Sequence, residues 1–266
     1  MNPATPLLSR TLTPAGVLTL TFNRPDQLNA MNRALMAEII AALTAASADT
    51  TVRVIVLTGA GRAFMAGADL KEYAQQSQAE FDAFQLLGRQ LYAAIEDNAK
   101  PVIAAINGHC FGGGLEIALA CDLLFAVEGA KCGLPEIGLA LIPGGGGLPR
   151  LALRAGLSRA LDAAMTGRVI LAEELREWGV INQVFPALEF PGRVSAYAAE
   201  LAAKEPAPIQ LLKRLARQTL PALRPELVAA EGEALGRFYA APAGQAKVAE
   251  FLARSEARAR ERASRP

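Results

Sequence analysis

Two glutamates stand where this chain could do proton chemistry. Glu116 closes the segment NGHCFGGGLE, residues 107–116, directly after a run of three glycines and a leucine. The apolar run PVIAAI enters the segment and an apolar helical pattern leaves it. It therefore reads as a strand, a glycine turn and a helix start. A backbone without Cβ atoms can approach a ligand closely. The first amides of a helix lack internal partners and sit at the positive end of its dipole. The Gly113 amide is thus a candidate donor to an oxygen that gains negative charge during a reaction. Glu116 lies about one turn further along the same face, and helical side chains tilt toward the N-terminus. A donor and a base that converge on one small volume suit the chemistry of carbonyl compounds. Taken alone, the segment also fits a capping box, with Glu116 bonded back to a free amide.

Glu136 lies in KCGLPEIGLALIPGGGGLPR, residues 131–150. Pro135 fixes the backbone before it and apolar residues surround it. Such surroundings raise a carboxyl pKa, which suits proton transfer near neutral pH. Taken alone, this segment also fits a solvated glutamate at a turn. A third segment, TGAGRAFMAGADLK at 58–71, offers G-x-G, but Phe64 occupies the place of the third glycine and no Gly-Lys-Ser/Thr follows. It is a weak dinucleotide fingerprint and not a phosphate loop. Ala66, Gly67 and Ala68 still permit close backbone approach, with an ordinary surface loop as the plain alternative.

Other chemistries lack parts. The chain has one histidine, His109, and no G-x-S-x-G, H-E-x-x-H or C-x-x-C pattern. A nucleophilic triad or a zinc site is not expected, and His109 reads as structural. Cys110, Cys121 and Cys132 form an odd set without disulfide spacing, so reduced, buried thiols and a cytoplasmic setting are expected. Lys and Arg total 27 against 26 Asp and Glu, which gives no global field toward nucleic acid or anionic membrane. A local basic patch for a phosphorylated small molecule stays open. Hydrophobic residues make up 52% of the chain, enough for a sizeable core. Its most apolar stretch, 102–127, is interrupted by Asn107, His109, Glu116 and Asp122, so it reads as core and not as a membrane span. Met1 to Arg10 lacks the basic-then-apolar order of a signal peptide.

Elements that position these residues follow from periodicity. Strands are expected at 16–22, 52–57, 101–106, 123–127 and 180–185. A helix capped by Asn32 runs to about Ala48, another spans 82–97, and a short one spans 113–120. Residues 62–80 read as a long connection of mixed character. Past Gly144 helices dominate: 148–155, 158–165, 172–179, 193–204, 208–220, 225–239 and 243 to about 260. Strands alternating with helices predict βαβ units and a mainly parallel α/β arrangement. A soft boundary falls near residue 190, and the charged tail from Arg254 is expected to fray.

Four segments together resemble the enoyl-CoA hydratase/isomerase (crotonase) family in order and spacing: NRPDQLNAMN at 23–32, AFMAGADLKEY at 63–73, KPVIAAINGHCFGGGLEIALACD at 100–122 and LPEIGLALIPGGGGLPRL at 134–151. The resemblance covers nearly the whole chain. It implies a crotonase-like spiral of ββα units over 1–190, with the CoA and acyl site, and a C-terminal helical region over 191–266 that covers the site and supports a homotrimer or hexamer. It implies an acyl-CoA thioester substrate, with coenzyme A part of the substrate and no separate cofactor. The oxyanion hole would be the amides of Ala68 and Gly113. Glu116 would activate water for addition at Cβ, and Glu136 would deliver a proton to Cα. Arg24, Leu28, Ala30, Ala66, Asp69, Leu70 and Lys71 would hold the CoA portion.

Some positions depart from the family pattern. Leu148-Pro149 stands where Thr-Gln is common before Arg150, and Ala243-Gly244-Gln245 stands where an acidic, glycine-containing turn is frequent. Met65 and His109 replace commoner small or aromatic residues. These departures bear on acyl-chain preference and tail contacts. An isomerase of the family would keep one catalytic carboxylate. A non-catalytic scaffold would have lost a glutamate or a hole glycine, and this chain keeps all of them.

Overall fold

The computed structural model describes residues 6–74, 76–219 and 225–263. The chain runs through β1 (Leu8–Leu12), β2 (Val17–Phe22), α1 (Arg33–Ala48), β3 (Val54–Gly59), β4 (Ala63–Met65), α2 (Leu70–Tyr73) and α3 (Gln78–Glu96). It continues through β5 (Val102–Ile106), β6 (His109–Phe111), α4 (Gly113–Ala120), β7 (Leu123–Val127) and β8 (Lys131–Gly133). Then come α5 (Gly147–Ala155), α6 (Leu157–Thr166), β9 (Ile170–Leu171), α7 (Ala172–Glu177) and β10 (Gln183–Phe185). Four helices close the chain: α8 (Phe190–Ala202), α9 (Pro206–Thr219), α10 (Pro225–Ala240) and α11 (Pro242–Ala263).

The strands form two sheets. The larger has the order β1-β2-β3-β5-β7-β10 and the smaller β4-β6-β8-β9. All pairings are parallel except β1 with β2 and β8 with β9. The pairs β3–β4, β5–β6 and β7–β8 each give one strand to each sheet. The chain therefore winds as a spiral of ββα turns. The expected parallel arrangement is present, and the mixed connection at 62–80 contains β4 and α2.

Central strands of the large sheet are buried on both faces, which is why they read as continuous apolar runs. Ile55, Leu57, Val102, Ala104 and Ile106 face the main core. Val54, Val56, Ile103, Ala105 and Phe125 face a second core, closed by Phe190, Val194, Ala198 and Ala202 of α8. Local signals set the helix starts. Asn32 accepts from the Leu35 amide, and a capping box of Ser77 and Glu80 starts α3 four residues before the expected position. The expected end of the 208–220 helix, Leu220, lies outside the described residues. The C-terminal helix runs to Ala263, past the expected Arg260.

The small sheet decides where chemistry can occur. β4, β6 and β8 run parallel, so their C-terminal ends open on one edge. Ala68 lies three residues past β4, Gly113 two past β6 and Glu136 three past β8. Parallel α/β sheets characteristically offer ligand crevices at the carboxyl ends of strands.

Phe125 ties the large sheet to α8, meeting Tyr197 edge-on with ring centroids 4.8 Å apart. Phe125→Ala should cost about 3–5 kcal/mol of stability. Leu188→Ala, at a side chain 99% exposed, should stay within about 0.5 kcal/mol of wild type. Urea unfolding midpoints check both, and equal midpoints would contradict the two-core architecture.

Candidate active site

Glu116 sits on α4, a helix whose eight residues are all buried. A helix that is apolar all round belongs in a core, and a carboxylate there needs donors. Glu116 is 4% exposed. Its Oε1 accepts from the amides of Gly145 at 2.8 Å and Gly147 at 3.0 Å. Its Oε2 accepts from the Tyr92 hydroxyl at 3.1 Å. The side chain does not reach back to the start of its own helix, so the capping-box alternative fails. Its partners are on a loop 29 and 31 residues away and on α3. Burial outweighs the rest and pushes the Glu116 carboxyl above the ordinary carboxylate range, while the Gly145 amide, the Arg150 charge, the Tyr92 hydroxyl and the Gly147 amide pull the other way.

The glycine loop is fitted to this carboxylate. A Cβ on Gly147 would stand 2.9 Å from Glu116 Oε1, so any side chain there displaces the bond. Arg150 of α5 holds the loop from behind. It donates to the Gly145 carbonyl and grips Glu96 of α3 with two bonds of 2.8 and 2.9 Å.

Glu136 stands in the first turn of a short 3₁₀ segment, Pro135–Leu139. Its Oε2 is buried and has no hydrogen-bond partner. The solvated-turn alternative therefore fails for the carboxyl group. Burial, then the charge of Glu116, then that of Glu231 push this carboxyl up to about 8, and only its own backbone amide pulls the other way. Gly112 allows the approach: its φ is +51°, and a Cβ there would lie 2.9 Å from Glu136 Oε1.

The two expected backbone donors converge here as well. Met31 forms a parallel bridge with Ala68. Its hydrogen bonds use the Gly67 carbonyl at 2.8 Å and the Asp69 amide at 2.8 Å. Backbone alternation turns the Ala68 N–H to the other side, and Ala68 lines the cavity beside Gly113. Gly113 is the first residue of α4, where amides have no intrahelical acceptor.

A cavity of about 450 Å³ joins these groups. Ala66, Ala68, Leu70, Gly113, Glu116 and Glu136 line it. Arg24, Leu28, Ala30, Asp69 and Lys71 do not; they form the loop pair behind it. There the Ala66 amide donates to Leu28 O at 3.0 Å. Arg24 pairs with Asp69 at 2.8 Å and donates to the Ala30 carbonyl. Asp69 caps α2 through the Lys71 amide. Tyr73, Phe84, Leu139, Leu141, Leu235 and Phe251 supply apolar wall.

The sequence profile of the enoyl-CoA hydratase/isomerase family matches residues 13–258. The chain belongs to this family. It is similar to the 2,3-dehydroadipyl-CoA hydratase of Escherichia coli, 40% identical over 76% of this chain and 79% of that one. It is 34% identical to the crotonyl-CoA hydratase of Syntrophomonas wolfei over 90% of this chain and 92% of that one. Among solved structures, an enoyl-CoA hydratase from Mycobacterium avium subsp. paratuberculosis superposes with a TM-score of 0.85 at 28% identity, over 94% of this chain and all of that chain.

This member of the enoyl-CoA hydratase/isomerase family also carries site residues that sequence reasoning missed. Glu231 of α10 accepts from the Gly146 amide at 2.7 Å. Its other oxygen is buried without a partner. Burial and then the charge of Glu116 push its carboxyl up to about 8. Tyr92 was unread because it falls on the apolar stripe of α3. Tyr239 of α10 is buried and stacks on Phe81 at 4.1 Å. The three cysteines are free and buried as expected. No described helix is long and apolar enough to cross a membrane.

Carboxyls pushed to about 8 keep their protons at pH 7. Infrared difference spectra at pH 7 should therefore contain protonated-carboxyl bands that diminish in Glu136→Gln and Glu231→Gln. Spectra with no protonated carboxyl at pH 7 would contradict this electrostatic picture.

Proposed function

We propose that this chain hydrates trans-2-enoyl-CoA thioesters to 3-hydroxyacyl-CoA. One observation carries the reading: two buried carboxyls with opposed surroundings share a cavity lined by the backbone of Ala68 and Gly113. Glu116 has three donors, which favour its ionised form. Glu136 has an orphaned buried oxygen, which favours its protonated form. Titratable neighbours driven apart in this way supply a base and an acid at one pH.

The chemistry then follows. The Ala68 and Gly113 amides receive the thioester oxygen and stabilise the enolate-like charge that develops on it. Glu116 takes a proton from water as the water oxygen bonds to Cβ. Glu136 gives its proton to Cα. Glu116 then carries the proton taken from water and Glu136 is left ionised, and exchange with solvent restores both. The CoA portion lies along the 28–31 and 66–71 loop pair, where Arg24, Leu28, Ala30, Ala66, Asp69, Leu70 and Lys71 shape the approach. The acyl chain lies against the apolar wall. The isomerase alternative needs one carboxylate only and leaves the second buried carboxyl without a task. Exposed Leu153, Leu157, Met165, Leu212, Leu215 and Phe238 favour a homotrimer or hexamer; light scattering that returns a monomer at micromolar concentration would remove that part.

Loss of the conjugated thioester absorbance measures the reaction. Glu116→Gln and Glu136→Gln should each lower turnover by about 10²–10⁴-fold. Wild-type turnover in either variant would remove that residue from the mechanism, and conversion of 3-enoyl-CoA without hydration would move the chain to the isomerases. The pH profile has a definite sign. Glu136 must hold a proton, and its carboxyl stands at about 8. The alkaline limb of the profile should therefore fall as pH rises through that value.

A further inference from the structure

The cavity holds a third protic group that the two-carboxyl reaction leaves unused, the hydroxyl of Tyr92. It donates to Glu116 Oε2 at 3.1 Å. A carboxylate offers about four lone-pair positions, two per oxygen. Gly145 and Gly147 fill both positions on Oε1. Tyr92 fills one on Oε2. One position remains, on the oxygen that Tyr92 touches.

We propose that Tyr92 is a positioning residue for Glu116: its hydroxyl fixes the carboxylate rotation and leaves one Oε2 lone pair, beside the phenol, to take the proton of the attacking water. This rests on the hydration reading for the identity of the water, but the control over Glu116 does not.

The phenol is built into its place. Tyr92 is buried and lines the cavity. The Arg150 guanidinium lies 5.3 Å from the ring centroid, a favourable cation–π distance. The ring packs on the bare backbone of Gly145, where a Cβ would stand 2.2 Å from Cε2 and 2.6 Å from the hydroxyl oxygen. The residue that donates to Oε1 thus also seats the residue that donates to Oε2. Glu96 and Tyr92 are one helical turn apart on α3, and both engage Arg150. Neither a phenylalanine nor an aliphatic residue at 92 could supply the donor to Oε2.

The charged and titratable groups around Glu116 are Tyr92 on α3, Arg150 on α5, Tyr73 on α2, Glu136 on the 3₁₀ segment and Glu231 on α10. Tyr92 and Arg150 favour the ionised carboxylate, and the two glutamates oppose it when charged. Removing the phenolic donor therefore moves Glu116 titration upward. A base that must be ionised then loses activity first at low pH.

Tyr92→Phe tests this, because it keeps the ring and deletes only the hydroxyl. With crotonyl-CoA, kcat/KM at pH 6 should fall by about tenfold, the loss expected for one hydrogen bond to a charged group. The fall should lie in kcat, with KM unchanged, and the acid limb of the profile should move to higher pH. The second readout needs no substrate: the infrared band of the Glu116 carboxyl, identified by its absence in Glu116→Gln, should titrate at higher pH in Tyr92→Phe than in wild type. A folded Tyr92→Phe protein with an unmoved acid limb and an unmoved Glu116 band would overturn the proposal, whatever its melting temperature. If wild type hydrates no enoyl-CoA yet the band moves, the hydration reading falls and the positioning role stands.

Discussion

A carboxylate at the centre of an apolar helix is the constraint on which the rest of this structure depends. α4 is short and wholly buried, and Glu116 projects from its middle. An unsolvated carboxylate is strongly disfavoured, so the fold must bring donors from elsewhere. It brings two loop amides and a phenol. The loop amides are available because a glycine run precedes α5. That loop stays in register because Arg150 bonds its carbonyl and pairs with Glu96. The other end of α4 is tied down as well. Arg154 donates to the carbonyls of Leu119 and Cys121, and Arg217 to that of Ala120. Cations on the carbonyl end satisfy the helix there. The amide end, beginning at Gly113, lines the cavity.

The ββα winding turns this local solution into a site. Each turn of the spiral leaves a short strand in the small sheet, and three of those strands end on one edge. The segments after them differ in kind: a bridge-held loop with Ala68, a helix start with Gly113, and a proline-led 3₁₀ segment with Glu136. Their proximity in space owes nothing to proximity in sequence. Gly67 and Gly112 make the contact possible, since a Cβ on Gly67 would lie 3.3 Å from the Phe111 carbonyl and one on Gly112 would meet Glu136. α10 adds a final layer. Its Glu231 takes the one loop amide, that of Gly146, between the two that Glu116 uses. The C-terminal helices are in this sense continuous with the site and not merely a cover for it.

Much of this was legible in the sequence, for identifiable reasons. Strands β3, β5 and β7 are buried on both faces and announce themselves as apolar runs. The starts of α1 and α4 follow from Asn32 and the glycine turn. The small sheet was not legible, because AFM, HCF and KCG are three residues each and show no period. β1 was missed because LSRTL is a largely exposed edge strand with polar residues at its centre. Glu116 and Glu136 could be read because glycine and proline mark their turns. Their environments could not. The bond from Tyr92 spans 24 residues and the one to Glu231 spans 85. No local pattern encodes such contacts, and a tyrosine on an apolar helical stripe looks like core until the tertiary fold gives its hydroxyl a partner.

The division of labour proposed for the two buried carboxyls is a property of these long-range contacts. Glutamate is the same residue at both positions, and burial raises both. What separates them is the number of donors each receives. Glu116 receives three and is flanked by a guanidinium, which offset part of the cost of burying its charge. Glu136 receives almost nothing from the fold, and each negative charge nearby drives it further toward its protonated form. The two effects reinforce one another: the better Glu116 is held as an anion, the more firmly Glu136 is held as an acid. A single set of contacts on one glycine loop therefore controls both partners. That coupling also explains why the loop is supported from α3, α5 and α10 at once. A shift of Gly145 or Gly147 would strip the donors from Glu116, raise its affinity for a proton and release the electrostatic pressure on Glu136, erasing the difference on which the proposed acid–base catalysis relies.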